Sequence, residues 1–144
     1  MTLVRFTIPG PAQGKGRPRF SRKSGAAFTP AKTRNHEAFV KMLAVQAMQD
    51  DYNGITYVPR APFDTPVALI VQIFCTIPPS WNKAKREAAK ANVIRPGKPD
   101  IDNVIKSIGD AMNGVVYTDD SLIYRVEATK MFADVACTTV EVHA

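Results

Sequence analysis

The chain has 144 residues, of which 45% are hydrophobic and 22% are charged, a composition typical of one ordinary globular domain. Its 19 lysines and arginines against 13 aspartates and glutamates give a formal net charge of +6, and a basic surface favours a polyanionic partner, either nucleic acid or an acidic membrane face. No apolar run approaches the ~20 residues of a membrane-spanning helix, and the N-terminus lacks the pattern of a signal peptide. The two cysteines have neither disulfide nor zinc spacing. We therefore expect a cytoplasmic protein with reduced thiols.

Hydrophobic periodicity and turn residues predict the elements of the fold. In chain order they are a strand at 3–8, a basic loop over 11–30, a helix at 33–49, a connection over 51–66, a strand at 67–77, helices at 81–91 and 100–113, a short strand at 115–117, and strands at 122–131 and 137–142. Thr33 and Ser80 are expected to cap the first two helices. Because strands and helices do not alternate strictly, we predict an α+β fold, with one domain over 1–144 in which a small mixed β-sheet packs against helices.

Charge is distributed unevenly along the chain. Residues 1–34 carry eight lysines and arginines and no acid, and residues 83–98 carry six against one acid. Residues 100–120 reverse the sign, with five aspartates and one lysine. Carboxylates that share one site repel each other, and a divalent cation removes that conflict. The distribution therefore predicts a basic surface beside a compact acidic cluster.

The motif DIDN at 100–103, followed by Lys106, is the densest group of chemically active side chains. On an ideal helix, side chains two residues apart point about 200° apart and cannot share an ion. The helix cannot readily extend back through Pro99, so Asp100 is predicted to be the non-helical N-cap at its start. The side chain of Asp100 can then converge with that of Asp102. Lys106 follows Asp102 by one turn. Because Mg²⁺ prefers one or two carboxylates with water and phosphate oxygens, and activates water for attack on a phosphate, the motif indicates metal-dependent phosphate chemistry.

Structural interpretations of the same residues stay open at this point. An aspartate at a helix start is also a common cap, and Asp119 with Asp120 also suits a turn. The basic segments also suit a solvated surface. Phe20 and Trp81 are candidates for stacking on bases, although such rings more often pack in a core or under a loop, which is the interpretation favoured here.

Three segments of the chain carry a more specific pattern. They are KPDIDNVIK at 98–106, DAMNG at 110–114 and YTDD at 117–120. Together they resemble the signature of the RusA family of Holliday junction resolvases. The similarity extends to IPG at 8–10, KGRPR at 15–19, FTP at 28–30 and PSWNK at 79–83, as in phage-type members. Two positions depart from the pattern, since Gly109 stands where a larger apolar residue is more usual and Leu122 replaces a frequent glutamine.

The resemblance implies a Mg²⁺-dependent endonuclease, with Mn²⁺ as an alternative ion, that acts as a homodimer on four-way DNA junctions. It implies no small-molecule cofactor, and it places the protein in the cytoplasm of a bacterium or a phage-infected host. The site then lies in a catalytic segment over 98–120. The implied residues are three catalytic and metal-binding aspartates (Asp100, Asp102 and Asp120), one catalytic lysine (Lys106) and two secondary acidic positions (Asp110 and Asp119). A two-fold dimer would offer one active site to each of two opposed strands.

The basic segments are then expected to contact DNA phosphates, which position a substrate without reading its sequence. The predicted contacts are Lys15, Arg17, Arg19, Arg22, Lys23, Lys83, Lys85 and Arg86. The leading hypothesis is a structure-selective endonuclease that resolves four-way junctions by paired phosphodiester hydrolysis in DNA recombination or repair, without a membrane partner. The alternatives are a non-catalytic module that binds branched DNA and a metal-dependent nucleotide phosphohydrolase.

Overall fold

Strands with inward-facing apolar residues build a four-stranded sheet, and two short hairpins accompany it. The computed structural model describes residues 2–16, 18–52 and 56–144. The strands are β1 (Leu3–Pro9), β2 (Arg19–Phe20), β3 (Ala27–Phe28), β4 (Gln49–Tyr52), β5 (Thr56–Pro59), β6 (Val67–Thr76), β7 (Ile123–Ala133) and β8 (Cys137–His143). The helices are α1 (Ala31–Ala47), α2 (Lys83–Lys90) and α3 (Ile101–Met112), and one 3₁₀ turn covers Asp120–Leu122.

The main sheet has the strand order β1-β8-β6-β7. β6 pairs in parallel with β7, whereas the pairs β6–β8 and β1–β8 are antiparallel. Because parallel neighbours cannot be joined by a tight turn, the connection from β6 to β7 is long, and it carries α2 and α3. The mixed sheet with its packed helices confirms the predicted α+β class.

The hydrophobic core lies between one face of this sheet and helices α1 and α3. Along β1 the inward residues Val4, Phe6 and Ile8 are buried while their neighbours are exposed, and Val71 of β6 stands opposite Val140 of β8. The helices add buried side chains to the same cluster, Val40 and Ala44 from α1 and Val104, Ile108 and Met112 from α3. Each buried aliphatic side chain stabilises the fold by about 1.5–3 kcal/mol relative to exposure. This layer therefore fixes α3 firmly against the sheet.

Both predicted helix caps are wrong. Pro30 occupies the N-cap position of α1, and Thr33 is buried inside the first turn, where its hydroxyl oxygen accepts a hydrogen bond of 3.0 Å from the Gly16 backbone N–H. Asn82, rather than Ser80, caps α2, because its side chain accepts a 2.9 Å hydrogen bond from the Lys85 backbone N–H. In each case the cap lies two or three residues from the predicted one and has the non-helical backbone of an N-cap.

The two predicted loops contain short strands. The basic loop includes the hairpin of β2 and β3, and the connection over 51–66 includes β5, which pairs with β4. The short strand expected at 115–117 is instead a turn, in which Tyr117 forms isolated bridges with Phe63 and Asn113. No helix in the described part of the chain is long and apolar enough to cross a membrane.

The two aromatic residues considered for base stacking differ in their surroundings. Trp81 packs edge-on against Phe132 with ring centroids 5.3 Å apart, and the Lys85 ammonium lies 4.0 Å above its ring. The packing interpretation is therefore confirmed for Trp81. It is wrong for Phe20, whose side chain is 73% exposed on the β2–β3 hairpin, because a hairpin with two-residue strands offers no core to cover the ring.

Candidate active site

The N-terminus of α3 presents two of the predicted catalytic carboxylates. Asp100 has the extended backbone of an N-cap (φ −64°, ψ 135°), which confirms the predicted helix start. Its side chain makes no capping hydrogen bond, and its carboxylate forms an ion pair of 3.5 Å with the Lys98 ammonium. Asp102 follows in the first turn and is exposed. A helix N-terminus favours negative charge, so this end of α3 suits the two exposed carboxylates.

Lys106 lies one turn further along the exposed face of the same helix. Its neighbours Val104 and Ile108 are buried in the core, so the apolar stripe of α3 orients the polar face outward. Within the described residues, the Lys106 ammonium has no hydrogen-bond or ion-pair partner. It is therefore free to contact an anion that approaches Asp102.

The segment before α3 is held by a residue that the sequence analysis did not single out. The Lys130 ammonium on β7 donates hydrogen bonds to the backbone carbonyls of Gly97 and Pro99, at 2.5 and 3.1 Å. Lys130 is paired with Ile73 of β6, so it lies on the sheet face that carries the helices. The available signal was a lysine at an inward position of a strand. Its contacts fix the chain immediately before Asp100.

A buried tyrosine ties the Asp119–Asp120 turn to α3. Tyr117 is fully buried, and its hydroxyl donates a 2.6 Å hydrogen bond to the backbone carbonyl of Gly109. A Cβ atom at Gly109 would lie 3.7 Å from that hydroxyl oxygen, an ordinary contact. Tyr117 thus packs closely against the position where the family pattern expects a larger side chain, and the packing there is not loose.

The pKa of the Tyr117 hydroxyl is affected by two nearby aspartates. Burial and then the charges of Asp120 and Asp110 raise the pKa of Tyr117 well above its usual range. The hydroxyl therefore keeps its proton, and its role as a donor to Gly109, throughout the neutral range. Both aspartates lie near enough to act on this one group, so the turn and the middle of α3 form a single acidic region.

Replacing Tyr117 with phenylalanine is expected to lower the free energy of unfolding by about 1–3 kcal/mol, because the Gly109 carbonyl loses its buried donor. Urea unfolding followed by circular dichroism measures the change. Tyr124→Phe makes the same chemical change at an exposed position of β7 and is expected to have no measurable effect. Equal stability of the two variants would contradict the role assigned to Tyr117.

The remaining predicted acids are placed as follows. Asp120 is exposed at the start of the 3₁₀ turn. Asp119 accepts a hydrogen bond from the Ser121 hydroxyl, which is the main cause of the lowered pKa of its carboxyl group.

In the described part of the chain, no three histidine, cysteine or acidic side chains are grouped closely enough to hold a metal ion by themselves. Oxygen donors from Asp100 and Asp102 still fit Mg²⁺, which commonly takes only one or two carboxylates and completes its shell with water and phosphate.

Lys15 and Asp110 were predicted as a DNA contact and a secondary acid, and they are partners of each other. The Lys15 ammonium forms an ion pair with Asp110 and lies 3.5 Å from a Glu37 carboxylate oxygen. The hydrogen bond to Asp110 is the main cause of the raised pKa of Lys15. The Lys15 backbone N–H also donates to the Asn103 carbonyl, at 3.3 Å. These contacts fasten the beginning of the basic loop to α1 and α3.

The other predicted DNA contacts fall into three groups. Arg19, Arg22 and Lys23 lie on or beside the β2–β3 hairpin, with Arg22 and Lys23 exposed at its tip. On α2, Lys83 is exposed, whereas Lys85 lies over the Trp81 ring and Arg86 donates to the Pro78 carbonyl at 3.1 Å. Arg17 lies outside the described residues. The role of each as a DNA contact stays a prediction.

Comparison with known proteins defines the class to which this fold and this site belong. The family model for endodeoxyribonuclease RusA matches residues 9–143. The chain therefore belongs to the RusA family, whose members are nucleases that act on branched DNA. A relative from Bacillus subtilis (strain 168), named Uncharacterized protein YqaN, is 30% identical over 139 residues, which cover 93% of this chain and 91% of the relative.

Proposed function

We propose that this nuclease resolves four-way DNA junctions with Mg²⁺, by paired phosphodiester hydrolysis in DNA recombination or repair. The observation that carries the proposal is the arrangement on α3. The carboxylates of Asp100 and Asp102 stand at its N-terminus, and Lys106, which has no partner among the described residues, lies one turn after Asp102. The Asp100 side chain makes no capping hydrogen bond and pairs with the exposed Lys98 ammonium at 3.5 Å, while Asp102 and Lys106 have no ion-pair partner among the described residues.

The carboxylates of Asp100 and Asp102 would hold the ion, and Asp120 would approach from the turn as the third acid. When bound, Mg²⁺ supplies activation of a water molecule and neutralisation of charge at the scissile phosphate. Lys130 and Tyr117 hold the two backbone segments that carry these acids. They act as positioning residues because neither side chain faces the proposed substrate directly.

Lys106 would stabilise the negative charge that develops on the phosphate, or orient the attacking water. Its side chain is exposed, and no carboxylate among the described residues pairs with its ammonium. A fixed positive charge aimed at the developing charge lowers the barrier without any reorganisation during the reaction. The family resemblance implies that this lysine is catalytic.

The basic loop would position the DNA. Its stem is fastened to α1 and α3 through Lys15, and its hairpin carries exposed arginines and a lysine. Cations of this kind bind phosphates without reading bases, which suits a substrate that is recognised by shape. A homodimer would place two such sites on opposed strands of a junction with approximate two-fold symmetry.

The test is cleavage of a synthetic four-way junction beside a linear duplex of the same sequence, with Mg²⁺ and with excess EDTA. We expect symmetrical nicks in the junction only when Mg²⁺ is present, and little cleavage of the duplex. Metal-independent nicking would contradict the assignment of the carboxylates. Binding of the junction without nicking at any Mg²⁺ or Mn²⁺ concentration would instead identify a binding module, and hydrolysis of free nucleotides would identify a phosphohydrolase.

A further inference from the structure

A groove runs between the basic loop and the start of α1, and it ends at the segment before α3. We propose that this groove binds the backbone of a single DNA strand, with Lys32 as a phosphate contact, and leads that strand to Asp100. The inference deepens the proposed function and rests on it for the identity of the polyanion. Neither the family pattern nor the charge runs of the sequence singled out Lys32.

The lining of the groove matches a polyanionic strand. Its volume is about 590 Å³, the size of a ligand pocket rather than of a surface that receives a whole duplex. Arg19, Lys32 and Lys98 contribute three positive charges, and the described lining residues include no acid. Prolines from three segments supply apolar surface between the charges: Pro18, Pro30 and Pro99. A cationic groove with apolar patches is typical of sites that follow a single strand.

The walls of the groove are built by close backbone approaches. The Gly16 N–H donates to the Thr33 hydroxyl at 3.0 Å, and a Cβ atom at Gly16 would lie only 2.5 Å from that oxygen. A Cβ atom at Gly14 would lie 3.1 Å from the Cβ atom of Asn103 on α3. The loop therefore lies against both helices, too closely for a Cβ atom at Gly16 and closely enough at Gly14 that Asn103 would have to shift by a few tenths of an ångström. Because these contacts hold the groove in shape, the protein itself has little ordering cost when a strand enters it.

The position of the groove relative to the acids gives it a role. Lys98 and Pro99 line one end, and Asp100 is the next residue, with its carboxylate 3.5 Å from the Lys98 ammonium. A strand that leaves the groove at this end would bring its next phosphate to the proposed metal site. Branched DNA offers such a strand at the crossover, where the backbone departs from the regular duplex.

The test compares Lys32→Gln with Lys41→Gln, a matched change on the same helix. Lys32 is exposed in the first turn of α1 and lines the groove, whereas Lys41 is exposed two and a half turns later and does not. Binding of a short oligothymidylate and of a four-way junction is measured over a range of salt concentrations without Mg²⁺. We expect Lys32→Gln to reduce the slope of log affinity against log salt by about 0.7 for the single strand, and to raise KM for junction cleavage with Mg²⁺.

Identical salt slopes for Lys32→Gln, Lys41→Gln and the unmodified protein would overturn the inference. A Lys32→Gln effect on the junction that is absent for oligothymidylate would overturn the assignment to a single strand. Both binding measurements omit the metal, so they remain informative if the protein does not cleave DNA. Failure of the groove hypothesis and failure of the proposed nuclease activity are therefore distinguishable. The variants are exposed changes on a helix surface, and circular dichroism verifies that each retains the fold.

Discussion

Asp102→Asn is expected to abolish junction cleavage while junction binding is retained. The carboxylate is exposed, makes no hydrogen bond among the described residues, and lies one helical turn before Lys106 on the same face of α3. Asparagine keeps the shape of the side chain but removes the charged oxygen that Mg²⁺ prefers. Loss of one such ligand is expected to remove about 4 kcal/mol of transition-state stabilisation, which corresponds to roughly a 1,000-fold lower rate.

The measurement is the single-turnover cleavage rate at saturating Mg²⁺, together with the junction affinity in EDTA. Asp134→Asn is the matched control, because Asp134 is an exposed aspartate between β7 and β8, remote in sequence from the proposed site. We expect this control to cleave at the unmodified rate. The assignment of Asp102 fails if its asparagine variant cleaves as fast as the control.

Lys106→Ala is expected to lower the cleavage rate by about 100- to 1,000-fold, the effect typical of removing one group that stabilises developing charge. The Mg²⁺ requirement should remain, because the carboxylates are untouched. Lys106→Arg keeps the positive charge and should recover part of the rate, although the planar guanidinium presents its donors differently. Single-turnover kinetics with a pre-bound junction separates this effect from weaker DNA binding.

Lys90→Ala serves as the control for Lys106. Lys90 lies in the last turn of α2, is exposed, and makes only an ion pair of 3.7 Å with Glu87. Such a surface pair contributes little to stability, so this variant should retain the fold and the cleavage rate. A loss in Lys106→Ala that appears only in junction affinity, and not in the single-turnover rate, would make Lys106 a binding residue.

Strong periodicity explains which parts of the fold were predictable from the sequence. The alternation in β1, the long apolar run of β6 and the stripe of α3 each involve many residues, and they placed those elements within one or two positions. The hairpins of β2 with β3 and of β4 with β5 have strands of two to four residues. Strands this short show no recognisable alternation, so the sequence pattern predicts a loop there.

The helix caps were less predictable. Thr33 and Ser80 are residue types that commonly cap helices, but Pro30 and Asn82, two or three residues away, occupy the cap positions.

The candidate site was predictable where its members are close in sequence. Asp100, Asp102 and Lys106 lie within two turns of one helix, so helical geometry alone predicts their arrangement. The pairs that support them are not local. Lys130 contacts Pro99 from 31 residues away, and Lys15 contacts Asp110 from 95 residues away. Neither pair follows a helical or strand period, so no single-sequence pattern reveals it.

The position of β8 has a consequence for the synthesis of this nuclease. β8 follows all the other strands in the chain, yet it lies between β1 and β6 in the middle of the sheet. A chain emerges from the ribosome at about 5–20 residues per second, and until residues 137–143 have emerged, β1 has no neighbour to pair with in this sheet. Helix α3, at whose start Asp100 and Asp102 lie, packs against α1, and α1 packs on β1, so α3 gains its full support only after β8 has joined. We therefore expect a nascent chain to stay inactive toward DNA until this strand is in place.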